Sequence, residues 1–219
     1  MRVTKTMTII ATGVLTVSVS APSKGYNGVA ISMTASWNTG AVGPFLGQVA
    51  WGDGAVDAIA RQSAKSVTKT HTYTTNGTYT ITVNVSDEGT LTSGSGTASI
   101  QVAAQLAASF SASPTSGAIP LTVTFTSGIS GGYTPYTWSI NPGDGSTPYS
   151  GTYPGAPFNQ AHTYTKVGTF TATLTATDAL GASVVSRSKI SIGMEGVTIQ
   201  PWIILAELAV GVVMIKLSR

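Results

Sequence analysis

Residues 71–87 read HTYTTNGTYTITVNVSD, and residues 162–178 read HTYTKVGTFTATLTATD. The two stretches are equally long and identical at about half their positions. A shift of 91 residues carries His71 onto His162, Tyr73 onto Tyr164, Gly77 onto Gly168 and Asp87 onto Asp178. The same shift carries Gly52-Asp53-Gly54 onto Gly143-Asp144-Gly145. Two motifs that keep one spacing across the gap between them mark an internal duplication. This period is too long for a solenoid unit and is the size of a small domain, so the chain is expected to hold two tandem domains.

Both copies read as β-structure. After Gly77, Tyr79, Ile81, Val83 and Val85 alternate with Thr80, Thr82, Asn84 and Ser86. After Gly168, Phe170, Ala172, Leu174 and Ala176 alternate with threonines. A period of two buries one face and wets the other. Leu121, Val123 and Phe125 alternate in the same way upstream, as do Val29, Ile31 and Met33. Clusters of Gly, Pro, Asn and Asp separate these runs, the pattern of a sandwich of short strands. No helix is expected before residue 197. TTNG (residues 74–77) and TKVG (165–168) read as turns in which Gly supplies a positive φ. The Tyr ahead of each turn stands where a sandwich ties a corner with a phenol hydrogen bond. The Asp of each GDG is placed to accept from nearby backbone N–H groups. The His, Tyr, Gly and Asp of the motif are therefore read as architecture.

A strand with an aromatic residue ending in GDG, followed by HTYT, a turn Gly and an alternating strand closed by Asp, resembles the PKD domain. That family is an immunoglobulin-like β-sandwich. Both copies carry the resemblance, over residues 17–104 and 105–193. The first has VAWGDG (49–54), with Trp51 at the usual Phe position. The second has WSINPGDG (138–145), where Trp138 lies further from the turn and Pro142 precedes it, so a bulged or shortened strand is expected there. The resemblance implies an all-β chain of two tandem sandwiches. For function it implies a spacer or a protein- or glycan-contacting module, as on cell-surface proteins, exported enzymes or archaeal surface layers.

The two ends stand apart from the repeat. Residues 197–219 read VTIQPWIILAELAVGVVMIKLSR. Pro201 suits a helix start, and residues 197–217 are just long enough to cross a bilayer as one α-helix. Trp202 would sit at one interface and Lys216 at the other, with the sandwiches outside the cell. Glu207 falls near mid-bilayer, where a carboxylate needs a partner or a proton. The segment reads either as a membrane anchor or as a helix packed within a protein assembly. Residues 1–16, MRVTKTMTIIATGVLT, read either as part of a signal peptide, with VSA (19–21) as the small-residue cleavage site, or as an extra β-strand, added to the first domain or donated to a neighbouring copy.

Composition removes several function classes. Only 9% of the 219 residues are charged and net charge is +3, without the clustered cations that nucleic-acid binding requires. There is no cysteine, hence no disulfide, thiolate zinc site or Cys nucleophile. The two histidines, His71 and His162, occupy the same repeat position, which argues against a catalytic pair. The adjacent acids Asp87-Glu88 end a strand and read as a solvated turn or, less simply, as part of a Ca²⁺ site. No catalytic, metal or cofactor site is expected. Asn76 and Asn84 head glycosylation sequons, NGT and NVS. Tyr133, Tyr136, Tyr149, Tyr153 and Phe158 crowd Pro/Gly-rich stretches that read either as a glycan- or protein-binding loop surface or as loops packed on their own sandwich. The expectation is a non-enzymatic surface, filament or virion-projection protein, of archaeal character by its low charge and Thr/Tyr/Gly bias. It would contact copies of itself or other shell proteins, with glycans as alternative partners.

Overall fold

The computed structural model describes residues 14–38, 41–153 and 155–194. Every regular element among them is a β-strand, and the chain divides into two compact units between Gln105 and Leu106.

Unit 1 contains β1 (Val17–Ser20), β2 (Lys24–Tyr26), β3 (Ala30–Trp37), β4 (Phe45–Ala50), β5 (Val56–Gln62), β6 (Ser66–Thr72), β7 (Gly77–Asp87) and β8 (Thr92–Ala103). They form a three-stranded sheet, β1-β3-β6, and a five-stranded sheet, β2-β8-β7-β4-β5. Unit 2 contains β9 (Ala107–Ser113), β10 (Ser116–Ala118), β11 (Leu121–Ser130), β12 (Tyr136–Asn141), β13 (Tyr149–Tyr153), β14 (Phe158–Tyr164), β15 (Gly168–Thr177) and β16 (Ser183–Gly193). Its sheets are β9-β11-β14 and β10-β16-β15-β12-β13, the same order strand for strand. The opening stretch of each unit switches sheets. β1 and β9 run antiparallel to β3 and β11, whereas β2 and β10 run parallel to β8 and β16. The duplication in sequence is thus a duplication of topology.

Alternation sets the core. Ile81, Val83 and Val85 of β7 point inward against Met33, Phe45, Val49 and Ile100, all nearly or fully buried. Ala172 and Leu174 of β15 do the same against Val123, Phe125, Ile140 and Ile190. The opposite faces of β7 and β15 carry Thr, Asn and Ser, which hydrogen-bond to water without charge. A second, smaller cluster in unit 2 joins Ile129, Tyr136, Tyr153 and Ala176.

Three expectations change at this level. Unit 1 starts before residue 17. Leu15 is 4% exposed and belongs to the core, and Asn38 donates to the Val14 and Thr16 carbonyls. Gly94 and Gly96 of β8 make the room: a Cβ on either would strike the backbone of Leu15 or Val17. β1 pairs with β3, and Leu15 and Val17 both belong to the core of unit 1. The irregular strand is also in the other unit. β4 carries a register shift between Phe45 and Gly47, while β12 pairs without interruption. Finally, Gly77 does not have a positive φ, whereas Gly168, at φ 157, does. Both open strands rather than turns. The ring two residues on, Tyr79 or Phe170, folds over the bare Cα, where a Cβ would crowd it at 3.2 Å. The segments 1–13 and 195–219, with the expected helix 197–217 and its Trp202, Glu207 and Lys216, lie outside the described residues.

Candidate functional site

The repeated polar residues converge on one corner in each unit. The turn after β4 contains Gly52-Asp53-Gly54, with φ +87 and +99 at the glycines. Asp53 Oδ1 accepts from the Ala55 amide at 3.0 Å, closing the turn, and its Oδ2 meets His71 Nε2 at 2.7 Å. Two residues on, the Tyr73 hydroxyl donates to the Trp51 carbonyl at 2.9 Å. Unit 2 repeats this set. Asp144 Oδ1 accepts from Ser146 N at 3.0 Å, Oδ2 meets His162 Nε2 at 2.8 Å, and Tyr164 donates to the Pro142 carbonyl at 2.8 Å. The phenol bonds tie the end of β6 or β14 in one sheet to the end of β4 or β12 in the other. The imidazoles stand edge-on to these phenols, with centroids 4.7 Å apart in both units. Tyr79 and Phe170 stack on the far faces of the phenols at 4.3 and 5.0 Å.

The environment acts on the ionisable groups in a consistent direction. Burial alone raises the Asp144 carboxyl, but hydrogen bonds from Ser146 and His162 outweigh it and hold the group at about 2. Asp53 is likewise lowered against its burial, by His71 and Ala55. Burial, with the neighbouring carboxylate second, pushes Tyr73 and Tyr164 up to about 12. The phenols stay neutral donors and the carboxylates stay charged acceptors.

A second repeated carboxylate lies at the end of β7 and β15. Asp87 is 1% exposed and accepts from the amides of Val42, Gly43, Gly89 and Thr90, at 2.9, 2.9, 2.9 and 3.3 Å. Asp178 accepts from Tyr133, Leu180 and Ala182. Each joins the loop between the unit's third and fourth strands to its last hairpin. The expectation of a solvated Asp87-Glu88 pair therefore fails for Asp87, whose oxygens are taken by backbone donors. Glu88 instead pairs with Arg61 at 2.6 Å on the surface. Among the described residues no three His, Asp or Glu side chains converge as metal ligands.

The aromatic residues of unit 2 fall differently from a loop surface. Tyr136, Tyr149, Tyr153 and Phe158 lie in strands, and Tyr133, Tyr136 and Tyr153 are each 6% exposed. Trp138 and Tyr153 pack on Phe158, with centroids 4.5 and 5.1 Å apart, and Tyr136 donates to the Gly131 carbonyl at 2.5 Å. These rings fill their own sandwich, with Tyr149 and Phe158 partly exposed. Asn76, in the turn before β7, and Asn84, on the outer face of β7, are both exposed.

Acid titration tests the lowered carboxyls. Asp144 has a folded value of about 2 against 3.8 for the free group. Its contribution is complete above pH 4 or so and is lost as pH falls through about 2. Asp53 and Asp87, also lowered, act in the same direction. The thermal midpoint of the full chain is expected to fall steeply between about pH 4 and pH 2, and Asp144→Asn to flatten that fall. A midpoint indifferent to acid in this window contradicts the assignment.

The chain has no match among curated proteins. Among solved structures it is similar to the PKD domain of an M14-like peptidase from Thermoplasmatales archaeon SCGC AB-540-F20, at 22% identity, covering 42% of this chain and 98% of that one, with TM-score 0.37. It is also similar to the fibronectin(III)-like modules of Clostridium thermocellum CbhA, at 13% identity, covering 81% of this chain and 94% of that one, with TM-score 0.38. A two-domain fibronectin type III segment of chicken tenascin, at 10% identity, covers 79% of this chain and 97% of its own, with TM-score 0.36. Residues 107–188, which hold the second GDG corner, its His162 and Tyr164 and the strands around them, match the family model of the PKD domain.

Proposed function

We propose that the chain is a non-enzymatic structural module. In this reading two rigid sandwiches are displayed from a C-terminal segment, residues 197–219, that holds them to a membrane or to a protein assembly. The observation that carries it is the duplicated use of the polar residues. In both units the His, the GDG Asp and the corner Tyr are held at one corner, and the strand-ending Asp ties a second. A residue held by architecture in two copies is selected for stiffness, and stiffness is what a spacer needs. Hydroxyl-rich outer faces with few charges fit close, uncharged contacts between copies or with other surface proteins. No helix among the described residues is long and apolar enough to cross a membrane, so the anchor rests on the sequence of residues 197–217 alone.

The test compares the full chain with a chain ending at residue 196, by sedimentation, liposome flotation and electron microscopy. The full chain is expected to float with lipid or to form regular assemblies, and the shortened one to sediment as a monomer. Identical monomeric behaviour of the two would remove the anchor and the display function with it. Glycan binding by the partly exposed Tyr149 and Phe158 is the alternative, read by a glycan array with the same two proteins.

A further inference from the structure

The corner of unit 2 holds a feature that unit 1 lacks. A carboxylate can only accept, so the hydrogen on Nε2 of His162 points to Asp144 Oδ2, 2.8 Å away. In the neutral ring the lone pair then lies on Nδ1. The Tyr149 hydroxyl stands 3.1 Å from that nitrogen and donates to it. Asp144 is fixed in turn by the Ser146 amide. Phenol, imidazole and carboxylate thus lie in one line of hydrogen bonds, with the base oriented by a third group. That is the geometry by which a neighbouring base activates a hydroxyl nucleophile. The base is buried and the acid partly so, their side chains 7% and 10% exposed, while Tyr149 lies on edge strand β13 and is partly exposed.

Four of the other phenols bond main-chain oxygens. Tyr73, Tyr79, Tyr136 and Tyr164 donate to the carbonyls of Trp51, Thr75, Gly131 and Pro142, which cannot take a proton. In unit 1 the position matching Tyr149 is Asp57: it pairs across the sheet with Val49, as Tyr149 pairs with Ile140. Asp57 accepts from Trp51 Nε1 at 3.0 Å, and Trp51 stacks on His71. The phenol relay is thus particular to unit 2.

We propose that Tyr149 is a nucleophilic phenol that accepts acyl groups from activated esters, with His162 as its general base and Asp144 as the residue that positions the ring. The Tyr149 oxygen attacks the ester carbonyl carbon as its proton passes to Nδ1 of His162. The tetrahedral adduct then expels the alkoxide or phenoxide with its electron pair, and His162 returns the proton to it or to water. The product is an O-acyl tyrosine and a free alcohol or phenol.

The experiment treats the full chain with p-nitrophenyl acetate at neutral pH and ranks acetylation of its tyrosines by peptide mass spectrometry. Tyr149 is expected to react at least about tenfold faster than Tyr26 or Tyr79, which are likewise partly exposed. The preference should vanish in urea and in a His162→Gln chain. The ranking in the unaltered protein decides by itself: Tyr149 acetylated no faster than the other tyrosines overturns the proposal. So does a His162→Gln chain that keeps its β-sheet circular dichroism and its preference for Tyr149.

Discussion

Asp87→Ala is expected to destabilise unit 1 by about 3–5 kcal/mol. The carboxylate is almost wholly buried and four backbone amides converge on it. Alanine leaves those donors without an acceptor, each orphan costing about 1–3 kcal/mol before water enters the space left behind. Water recovers part of that sum, which sets the range. Asp178→Ala should do the same in unit 2, where three amides lose their acceptor. The neighbouring Glu88→Ala serves as control. Its partner Arg61 has a side chain 67% exposed, and such surface pairs contribute about 0–1 kcal/mol. Urea unfolding of the full chain reads all three, with the unaltered unit as internal reference. A loss below about 1 kcal/mol for Asp87→Ala would mean that the loops hold together without it.

Much of this architecture could be read from letter periodicity, and the failures have physical reasons. β7 and β15 were plain because their apolar residues alternate over ten or more positions. The phenol corners were legible from the place of Tyr73 and Tyr164 just before a turn. The Asp53–His71 and Asp144–His162 pairs were not, since 18 residues separate the partners and only the closed sandwich brings them together. A signal did exist: both members of each pair moved by the same 91 residues. The tyrosines of unit 2 were misplaced because Pro and Gly surround them and β12 and β13 are short. Yet Tyr136, Trp138 and Ile140 alternate, and so do Tyr149, Gly151 and Tyr153. Cross-strand register sets Tyr136 opposite Tyr153 and Trp138 opposite Gly151, whose missing side chain admits the indole. Tyr149 had no repeat signal at all. The shift of 91 places it on Ala58, whereas the sheet register matches it to Asp57.

The two glycines of each GDG corner are expected to respond to alanine very differently, although their backbones are alike. Gly143 and Gly145 have φ of +86 and +91, so each substitution carries the strain of a left-handed non-glycine residue, about 1–2 kcal/mol. Around Gly145 a Cβ would meet nothing within 4 Å, and strain is the whole cost. At Gly143 the added carbon would collide with the Thr171 carbonyl oxygen on β15, which is paired backbone and cannot swing aside. Overpacking of this kind adds about 1–3 kcal/mol. Gly143→Ala should therefore cost about 3 kcal/mol or more, and Gly145→Ala about half as much or less. Gly52 and Gly54 offer the same contrast in unit 1, where a Cβ on Gly52 would lie 2.7 Å from the Thr80 oxygen and one on Gly54 would be in open space. The order in each unit is the sensitive part. The first glycine is needed because the corner presses against the neighbouring strand, and the second only because the chain turns. Equal losses at the two positions, in denaturant midpoints measured on the full chain, would show that the corner does not touch that strand. The Asp between the glycines would then be held by the turn alone and not by the seat the turn makes against the sheet.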